Sequence, residues 1–325
     1  YCKINRRAGE RERKVLLMKL KKLIAVALTA VMTMSLTACG GGNTTGTTSG
    51  GAVDSGKTYK IGICQLVQHE ALDAATKGFK DALTEKLGDK VKFDEQNAQG
   101  DSPTCATIVN SFVSENVDLI LANATAPLQA AATGTTDIPI LGTSVTDYGT
   151  ALNIKDWKGT TGVNVSGTSD LAPLDQQAAM IKELFPDKKK VGLLYCSAEA
   201  NSLYQVETIK GYLEKDGYTC TNYSFVDSND IASVVSNAAK NSEVIYVPTD
   251  NTAASNTEVI RNTCVPAKVP VVAGEQGICS GCGIATLTIS YYDIGYEAGL
   301  LAYDILVNGA DPATMEIKTA ENVTK

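Results

Sequence analysis

The residues with the clearest chemical potential are hydroxyl and carboxylate side chains that stand where predicted strands end. Thr125 and the pair Thr143 and Ser144 stand where short helices are predicted to begin, so free backbone N–H groups there would attract a carboxylate. Asp250 and Glu275 end predicted strands in the second half of the chain, and a buried carboxylate needs a cation as its partner. Together these residues predict a site that holds a small zwitterion by both of its charges.

Similar polar loops follow the other predicted strands. The full set of candidate binding residues is Gln68, His69, Glu70, Asn97, Thr125, Ala126, Thr143, Ser144, Asp170, Glu199, Asn201, Ser202, Thr249, Asp250, Asn251 and Glu275. A simpler interpretation of Thr125, Ser144, Asn201 and Asp250 is that each of them only caps a helix. The concentration of such residues at strand ends in both halves of the chain favours binding for the set as a whole.

From Tyr59 onward, short apolar runs alternate with segments of helical spacing. The first run, from Lys60 to Val67, is followed by apolar residues three or four positions apart from Leu72 to Leu87, and Gly88 ends this helix. This alternation of predicted strands and helices continues along the chain in two successive series. Strands in such series are parallel, buried on both faces and covered by helices, and ligands bind beyond their carboxyl ends. The sequence therefore predicts an α/β fold with two doubly wound parallel-sheet lobes joined by a multi-strand hinge.

The chain is expected to cross between the lobes near residues 165–170, near Ser290, and between residues 309 and 315. The predicted bounds are 58–167 with 290–310 for the first lobe, and 168–289 with 311–325 for the second. A ligand between the lobes would then shift an equilibrium between open and closed arrangements, as in a hinged trap.

Residues 1–38 have the pattern of an upstream segment followed by a signal peptide. Met18 is the expected start, and the basic segment that follows it precedes an apolar run of about 14 residues, shorter than the roughly 20 that a spanning helix needs. Leu36-Thr37-Ala38-Cys39 looks like a bacterial lipobox, so Cys39 is the predicted lipidation site. Residues 39–57 would form a flexible Gly/Thr/Ser-rich linker. A short anchor that is not cleaved is the alternative.

The charge of the chain limits its partners. The formal net charge is -7, and without residues 1–38 the chain keeps 20 basic against 34 acidic residues, a net charge of about -14. Phosphate backbones and anionic lipid surfaces are bound by clustered Lys and Arg. The composition therefore argues against a nucleic-acid partner and against membrane binding through charge.

Cysteine and histidine usage offers little catalytic or metal chemistry. Cys279 and Cys282 form a CxxC motif, but no second such motif follows, and His69 is the only histidine in the sequence. Free thiols are favoured for this motif over a surface disulfide, for which Cys264 is a possible partner, and over a structural metal site. No Ser/His/Asp set or phosphate-binding loop is evident, so we expect a protein that is not an enzyme and uses no cofactor or metal.

Five segments resemble one protein family. They are Gln68 to Asp73, Asn97 to Asp101, Ser197 to Ser202, Pro248 to Asn251 and Tyr291 to Gly295. With them, the chain from Tyr59 onward resembles the substrate-binding lipoproteins of bacterial ABC transporters with the type I periplasmic-binding fold, and among these the tryptophan- and tyrosine-type transport proteins. The resemblance implies a monomer, lipid-anchored outside the cytoplasmic membrane, that captures a small solute. It also implies an aromatic amino acid as that solute and an ABC permease and ATPase as partners.

Other functions stay open on these residues. A protein of the same fold could signal ligand occupancy to a membrane partner such as a kinase, and the solute could be a branched-chain amino acid or a nucleoside. Aromatic residues make up 6% of the sequence, so stacking partners for an aromatic ligand are not evident. The single tryptophan, Trp157, is expected to serve packing rather than ligand stacking.

Overall fold

The computed structural model describes residues 56–320 and 322–325, so the predictions for the leader, for Cys39 and for most of the linker fall outside the described residues. Two parallel β-sheets with helices between their strands make up most of the described chain. They confirm the predicted α/β fold with two lobes. Among the described residues, no helix has the length and apolar character needed to cross a membrane.

The first sheet contains strands from both ends of the described chain. Its strands are β1 Tyr59–Gln65, β2 Val91–Asn97, β3 Leu119–Asn123, β4 Ile140–Val145, β5 Val165–Ser169 and β12 Lys318–Thr319. They lie in the order β12-β5-β4-β3-β1-β2, and all pairings are parallel. Every residue of β3 and β4 is buried, as expected for a parallel sheet that is covered on both faces.

Helices cover this sheet, and the last long helix of the chain packs against the first. The helices of this lobe are α1 Glu70–Leu87, α2 Ser102–Ser114, α3 Thr125–Gly134, α4 Tyr148–Leu152 and α11 Tyr291–Asn308, with 3-10 turns at Gly88–Lys90 and Pro312–Thr314. Helices α1 and α11 meet at glycines, because a Cβ atom on Gly78 would collide with the backbone of Tyr292, and one on Gly295 with that of Ala75. The two helix backbones can therefore lie in direct contact.

The second sheet is formed by consecutive strands of the second half of the chain. They are β6 Lys190–Cys196, β7 Thr219–Phe225, β8 Val244–Val247, β9 Val271–Ala273 and β10 Ala285–Thr286, in the order β10-β9-β8-β6-β7. All of their pairings are parallel. The helices of this lobe are α5 Leu174–Leu184, α6 Ala200–Lys215, α7 Ile231–Asn241, α8 Asn251–Ala254, α9 Thr257–Ala267 and α10 Gln276–Cys282.

Each sheet separates two apolar clusters, because side chains alternate between the faces of a strand. In β1, Ile61 and Ile63 belong to one cluster, while Cys64 belongs to another. In β6, Leu193 and Leu194 are divided in the same way. The helices on both faces of each sheet therefore have an apolar layer to pack on, which holds the strand ends in place.

Short segments connect the lobes. Residues 170–173 lead from β5 to α5, and Ser290 leads from β11 Thr288–Ile289 to α11. Strand β11 pairs antiparallel with β13 Val323–Thr324 in a small separate sheet. The first two crossings lie close together, because Tyr291, next to Ser290, donates its hydroxyl to Asp170 at 2.9 Å.

The last crossing lies later in the chain than the sequence indicated. The expected bounds give residues 311–325 to the second lobe, but β12 pairs with β5 of the first sheet, where Lys318 is the partner of Thr168. Ser166 in β5 also donates its hydroxyl to the Met315 carbonyl oxygen at 3.2 Å. The chain stays with the first lobe up to Thr319, because β12 satisfies backbone groups that the edge strand β5 would otherwise leave unpaired.

Candidate functional site

A cavity lies between the lobes, at the carboxyl ends of both sheets. We call this space the inner cavity. Its lining consists of His69, Leu72, Ser144, Asp170, Asn201, Thr249, Asp250, Asn251, Ala254, Glu275 and Tyr291. A second space, the outer groove, adjoins it, and Asn201 and Asn251 line both. Strand-end loops of the two sheets therefore face each other across one continuous region.

The structure brings most of the candidate residues to this region. The inner cavity is lined by His69, Ser144, Asp170, Asn201, Thr249, Asp250, Asn251 and Glu275, and the outer groove by Thr125, Ala126, Glu199, Asn201 and Asn251. Gln68, His69 and Glu70 line a shallow notch at the rim of the cleft.

Three candidates, Asn97, Thr143 and Ser202, are absent from the described lining of the cavity, the groove and the notch, because their side chains are used within their own lobes. The Asn97 side chain accepts a backbone N–H two residues further on, at 2.8 Å. Thr143 lies inside β4, where its hydroxyl accepts a hydrogen bond from Thr168 at 3.1 Å. Ser202 donates its hydroxyl to Asp250 at 2.7 Å and accepts from Asn201 Nδ2 at 3.4 Å, so it acts on the cavity through these two side chains.

Ser144 presents an unpaired hydroxyl in the inner cavity. Its φ of 55° lies in the left-handed region, which is uncommon for a residue with a side chain. Its Oγ atom is buried and has no hydrogen-bond partner. The sequence placed the start of a helix here, but Ser144 belongs to β4, and α4 begins at Tyr148 with Asp147 as its cap. An irregularity in the pairing of β4 with β5, rather than a helix end, positions this hydroxyl.

Thr125 is the first residue of α3, and its backbone position agrees with the helix start that the sequence predicted there. The preceding residue, Ala124, has a φ of 104°, which turns the chain sharply from β3 into the helix. Thr125 and Ala126 line the outer groove, so the N-terminus of α3 lies at its wall. The positive end of the helix dipole favours negative charge at this place.

Asp250 is both a helix cap and part of the cavity wall. Its Oδ1 accepts the N–H of Ala253 at 2.8 Å, and its Oδ2 accepts the N–H of Cys196 at 2.6 Å and the Ser202 hydroxyl at 2.7 Å. Burial raises the pKa of Asp250, and the nearby negative charge of Glu199 raises it further. The capping interpretation therefore holds for this residue, but capping leaves a buried carboxylate beside the cavity.

Glu275, in the loop after β9, likewise caps a helix and lines the inner cavity. Its carboxylate caps α10, accepting N–H groups from Gly277 at 2.6 Å and from Ile278. Burial raises the pKa of Glu275 to about 7. Asp170, a third carboxylate in the wall, also has a raised pKa because of burial. Among the described residues that line the inner cavity there is no Lys or Arg, so a cationic group of a ligand would offset this unbalanced charge.

A hydrogen bond joins the two lobes at the edge of the cavity. His69 Nε2 in the first lobe lies 3.2 Å from Asn251 Oδ1 in the second. The Asn251 amide is oriented by Glu199, to which its Nδ2 donates at 2.7 Å, so Nε2 must be the donor to Oδ1. The other ring nitrogen, Nδ1, is buried without a partner, and burial lowers the pKa of His69. Neutral His69 therefore has a spare acceptor at the cleft.

The loop-based argument missed Tyr291, which lines the site, and Gln205, which supports the lining residues Asn201 and Thr249 from behind. Tyr291 lines the inner cavity and donates its hydroxyl to Asp170 at 2.9 Å. Gln205 is buried in α6 and donates to the Asn201 and Thr249 carbonyl oxygens, both at 3.1 Å. Gln205 stands four residues after Asn201, so helical spacing could have placed it on the same face.

Of the seven cysteines that the structure describes, only Cys196 lines this site, at the wall of the outer groove. Cys279 and Cys282 lie in α10, a helix that the sequence analysis did not include, and both are free thiols, as is Cys264. Within the described part of the chain, no cluster of His, Cys, Asp and Glu has the arrangement of a metal site.

Residues 60–325 match the family model described as ABC transporter substrate binding protein. The chain belongs to this family. Like the family as a whole, this substrate-binding protein binds a solute and is not an enzyme, and it acts outside the cytoplasm.

Named relatives of this substrate-binding protein are also solute receptors. It is 38% identical to a tyrosine-binding protein of Clostridioides difficile over 297 residues, which cover 89% of this chain and 85% of the relative. A solved structure of an ABC domain in complex with L-Trp, from Streptococcus pneumonia, is 35% identical with a TM-score of 0.78, covering 81% of this chain and 89% of that one.

The substrate-binding protein also matches an open relative, but less closely in shape. The ligand-free, open structure of a substrate-binding protein with adhesive properties from Clostridium difficile is 36% identical and covers 82% of this chain and 90% of that one. Its TM-score is 0.61, against 0.78 for the L-Trp complex at nearly the same identity. The lobes described above are therefore arranged more as in the complex than as in the open protein.

Proposed function

We propose that this protein is a lipid-anchored receptor of an ABC importer that captures an aromatic amino acid between its lobes and delivers it to the permease. The observation that carries the proposal is the composition of the inner cavity. Asp170, Asp250 and Glu275 bring carboxylates to its wall, while His69 Nδ1 and Ser144 Oγ are buried there without hydrogen-bond partners. Buried polar groups are nearly always paired, so two orphans in one cavity favour a polar ligand.

The ammonium group of the ligand would lie on the side of the carboxylates. Glu275 and Asp250 each use backbone donors for part of their lone-pair capacity, and a carboxylate has about four acceptor positions. Burial raises the pKa of both groups, and an α-ammonium there would favour their ionised forms. A ligand without a cationic group would leave this charge uncompensated.

The carboxylate of the ligand would lie against the first lobe. Ser144 offers a hydroxyl donor, and the N-terminus of α3 at Thr125 adds the favourable end of a helix dipole. The described lining has no basic side chain near the inner cavity, so hydroxyl and backbone donors would carry this recognition.

The side chain of the ligand would extend into the outer groove. The groove adjoins the inner cavity at Asn201 and Asn251 and is partly lined by apolar groups, including Leu66, Val67 and Ala126. With polar side chains around the inner cavity and apolar ones in the groove, the polar head of an amino acid would lie in the cavity and its side chain in the groove. The L-Trp complex and the tyrosine-binding relative support an aromatic side chain.

Co-purification tests the ligand assignment. The protein is purified without added solute, denatured, and the released small molecules are identified by mass spectrometry. We expect tyrosine or tryptophan in near-stoichiometric amount. A branched-chain amino acid or a nucleoside in their place would replace the aromatic assignment while keeping the receptor function.

The membrane anchor rests on the lipobox at Cys39. In the full chain, Cys39→Ala should move the protein from the membrane fraction to the soluble fraction and abolish incorporation of labelled palmitate. Cys220→Ala, which removes a half-buried free thiol of the folded body, is the control and should change neither result. Persistent palmitate labelling in the Cys39→Ala variant would contradict the anchor.

A sensor that signals to a membrane partner is the second candidate, because closure on a ligand could be reported as well as transported. Transport and signalling are distinguished by measuring the uptake of labelled ligand in cells that lack this protein. Transport predicts that uptake falls when the protein is deleted, whereas unchanged uptake would favour the sensor.

A further inference from the structure

The Glu199 carboxylate is occupied by donors from its own lobe. Glu199 is the residue before α6, but its side chain makes no capping bond to that helix. Its Oε1 accepts the backbone N–H of Thr252 at 2.9 Å and the Thr252 hydroxyl at 2.8 Å. Its Oε2 accepts the backbone N–H of Asn251 at 3.0 Å, Asn251 Nδ2 at 2.7 Å and Asn201 Nδ2 at 3.1 Å. Since a carboxylate has about four acceptor positions, these donors leave none for a ligand.

This carboxylate fixes the orientation of two asparagine amides. An asparagine amide has donors on its nitrogen and an acceptor on its oxygen, whereas an ionised carboxylate only accepts hydrogen bonds. Asn201 and Asn251 therefore both turn Nδ2 towards Glu199, which directs their Oδ1 atoms away from it. In Asn251, the oxygen accepts the hydrogen bond from His69 in the other lobe. One amide oxygen is thus used for a contact between the lobes, and the oxygen of Asn201 stays available for another purpose.

Asn201 offers this acceptor at the junction of the inner cavity and the outer groove. Its Nδ2 also lies 3.0 Å from the Thr249 carbonyl oxygen and 3.4 Å from the Ser202 hydroxyl. Among the described residues, the side-chain hydrogen bonds of Asn201 all have Nδ2 as their donor. Turning the amide over would set Oδ1 against the oxygen acceptors of Glu199 and Thr249. Because Asn201 lines both spaces, its oxygen is an acceptor in the region where a ligand would lie.

The surroundings of this oxygen suit a cationic donor. Asp250 lies close by, because the Ser202 hydroxyl donates to its carboxylate and is itself within reach of Asn201 Nδ2. An ammonium group has three N–H donors, and each needs an acceptor when the group is buried. The carboxylates of Asp250 and Glu275 line the same cavity as Asn201. The amide oxygen therefore adds an acceptor for an ammonium without adding a further negative charge to the wall.

We propose that Asn201 is a specificity-determining residue, whose Oδ1 accepts a hydrogen bond from the α-ammonium of the ligand, and that Glu199 is the positioning residue that holds this oxygen in place. The inference rests on the proposed function for the identity of the ligand, but the orientation of the amides by Glu199 does not depend on it. Glu199 lines the outer groove, yet in this scheme it acts on the ligand only through the amides that it orients. A ligand without an ammonium leaves Oδ1 unpaired and binds less tightly.

Ligand analogues test the Asn201 contact. Tyramine keeps the ammonium of tyrosine and lacks its carboxylate, whereas desaminotyrosine keeps the carboxylate and lacks the ammonium. Dissociation constants are measured by calorimetry for tyrosine and by NMR titration, which covers weak binding, for the two analogues. We expect Asn201→Ala to weaken the binding of tyrosine and tyramine about tenfold, the size of one hydrogen bond to a charged group, and to change the binding of desaminotyrosine by less than about twofold.

Asn308→Ala is the matched control for this substitution. Asn308 is exposed at the end of α11, and its Nδ2 donates to the Asp304 carboxylate at 2.8 Å, so the same type of bond is removed away from the cleft. Its dissociation constants should equal those of the unsubstituted protein. An equal loss for tyrosine and both analogues in Asn201→Ala would overturn the contact, because a purely structural role weakens all ligands alike. Unchanged binding of tyrosine in this variant would overturn it as well.

Glu199→Gln tests the positioning role without any ligand. A glutamine amide accepts hydrogen bonds at its oxygen alone, so it loses part of its hold on the two asparagine amides. We expect the side-chain N–H groups of Asn201 and Asn251 to exchange with solvent about tenfold faster, as followed by NMR on asparagine-labelled protein, and tyrosine binding to weaken as in Asn201→Ala. Glu214→Gln, an exposed position on the same helix, is the control and should leave the exchange unchanged. Unchanged exchange in Glu199→Gln would contradict the positioning role.

These results also separate the inference from the proposed function. If tyrosine binds Asn201→Ala as tightly as the unsubstituted protein, the contact fails while the receptor for an aromatic amino acid stands. If neither tyrosine nor tryptophan binds the unsubstituted protein, the ligand assignment and the contact both fail, and hydrogen exchange still decides the role of Glu199. Should Glu199→Gln fail to fold, Glu199→Asp, whose side chain is shorter by one methylene, takes its place and should show the same faster exchange.

Discussion

Asn251 in the second lobe accepts a hydrogen bond from His69 in the first, with 3.2 Å between Oδ1 and Nε2. The bond is direct and crosses the cleft at the edge of the inner cavity. Glu199 holds the Asn251 amide in the orientation that makes Oδ1 available. The closed arrangement is therefore stabilised partly by the protein itself, in addition to any ligand.

Removing the His69 ring should loosen closure. We expect His69→Ala to speed ligand dissociation about fivefold, corresponding to roughly 1 kcal/mol for one net hydrogen bond. Stopped-flow fluorescence with tyrosine or tryptophan measures this rate. Asn97→Ala is the control, because Asn97 is outside both lined spaces and serves its own loop, so its dissociation rate should not change. Equal rates for the two variants would contradict a closing role for His69.

The Ser144 hydroxyl has no partner within the protein, so its removal should affect binding without affecting folding. We expect Ser144→Ala to weaken amino-acid binding by a factor of about ten, or about 1.4 kcal/mol, with an unchanged thermal midpoint. Calorimetry and a thermal melt measure the two quantities. Ser114→Ala, an exposed serine in α2, is the control. A drop in the midpoint with unchanged affinity would assign Ser144 a structural role instead.

Glu275 should make stability depend on pH. Its pKa rises from 4.5 to about 7 on folding because of burial, so the unfolded chain loses this proton first as the pH increases. The contribution of Glu275 to the free energy of unfolding therefore falls between about pH 4.5 and 7, by about 3 kcal/mol at most. Urea unfolding of the ligand-free protein at pH 5 and pH 7.5 should show a smaller fall in Glu275→Gln than in the unsubstituted protein.

The affinity for the ligand should change with pH in the opposite direction to the stability. A ligand cation favours the ionised form of Glu275, so amino-acid affinity should increase as the pH rises from 5.5 to 7.5, and the increase should be reduced in Glu275→Gln. An affinity that falls over this range would contradict the placement of the ammonium beside Glu275.

Much of the architecture could be predicted from the sequence because its signals are local. The alternation of apolar runs with helical spacing indicates two parallel sheets, and a carboxylate a few residues after a strand, as at Asp250, indicates the edge where the loops meet. Ser144 shows the limit of this approach. Whether β4 ends at Leu141 or continues to Val145 depends on its pairing with β5, which lies some twenty residues further along the chain.

Helix α10 and the last crossing between the lobes also differ from the sequence-based predictions, for similar reasons. Helix α10 contains Gly277 and Gly281, which lower helix propensity, but Gly281 packs directly against Thr257, and Glu275 caps the helix. The last crossing depends on β12, a strand of two residues whose only signal is the free edge of β5. Tertiary contacts decide both cases, and a single sequence does not display them.

The contact between α1 and α11 should be sensitive to a single methyl group. Gly295→Ala would place Cβ against the backbone of Ala75, so we expect the free energy of unfolding to fall by about 1–3 kcal/mol. Gly211→Ala is the matched control, because Gly211 lies in α6 with open space around its Cα. That variant should be more stable by about 0.5–1 kcal/mol. Urea unfolding distinguishes the two, and a stabilising Gly295→Ala would contradict the close packing.

The most direct measurement is a calorimetric titration of the purified protein, stripped of any bound solute by reversible unfolding, with tyrosine, tryptophan and glutamate. A cavity with buried carboxylates and no described basic residue in its wall predicts saturable binding of tyrosine or tryptophan at a stoichiometry of one, and no binding of glutamate, whose second carboxylate it would repel. Absence of binding by both aromatic amino acids, or binding of glutamate alone, would contradict the account.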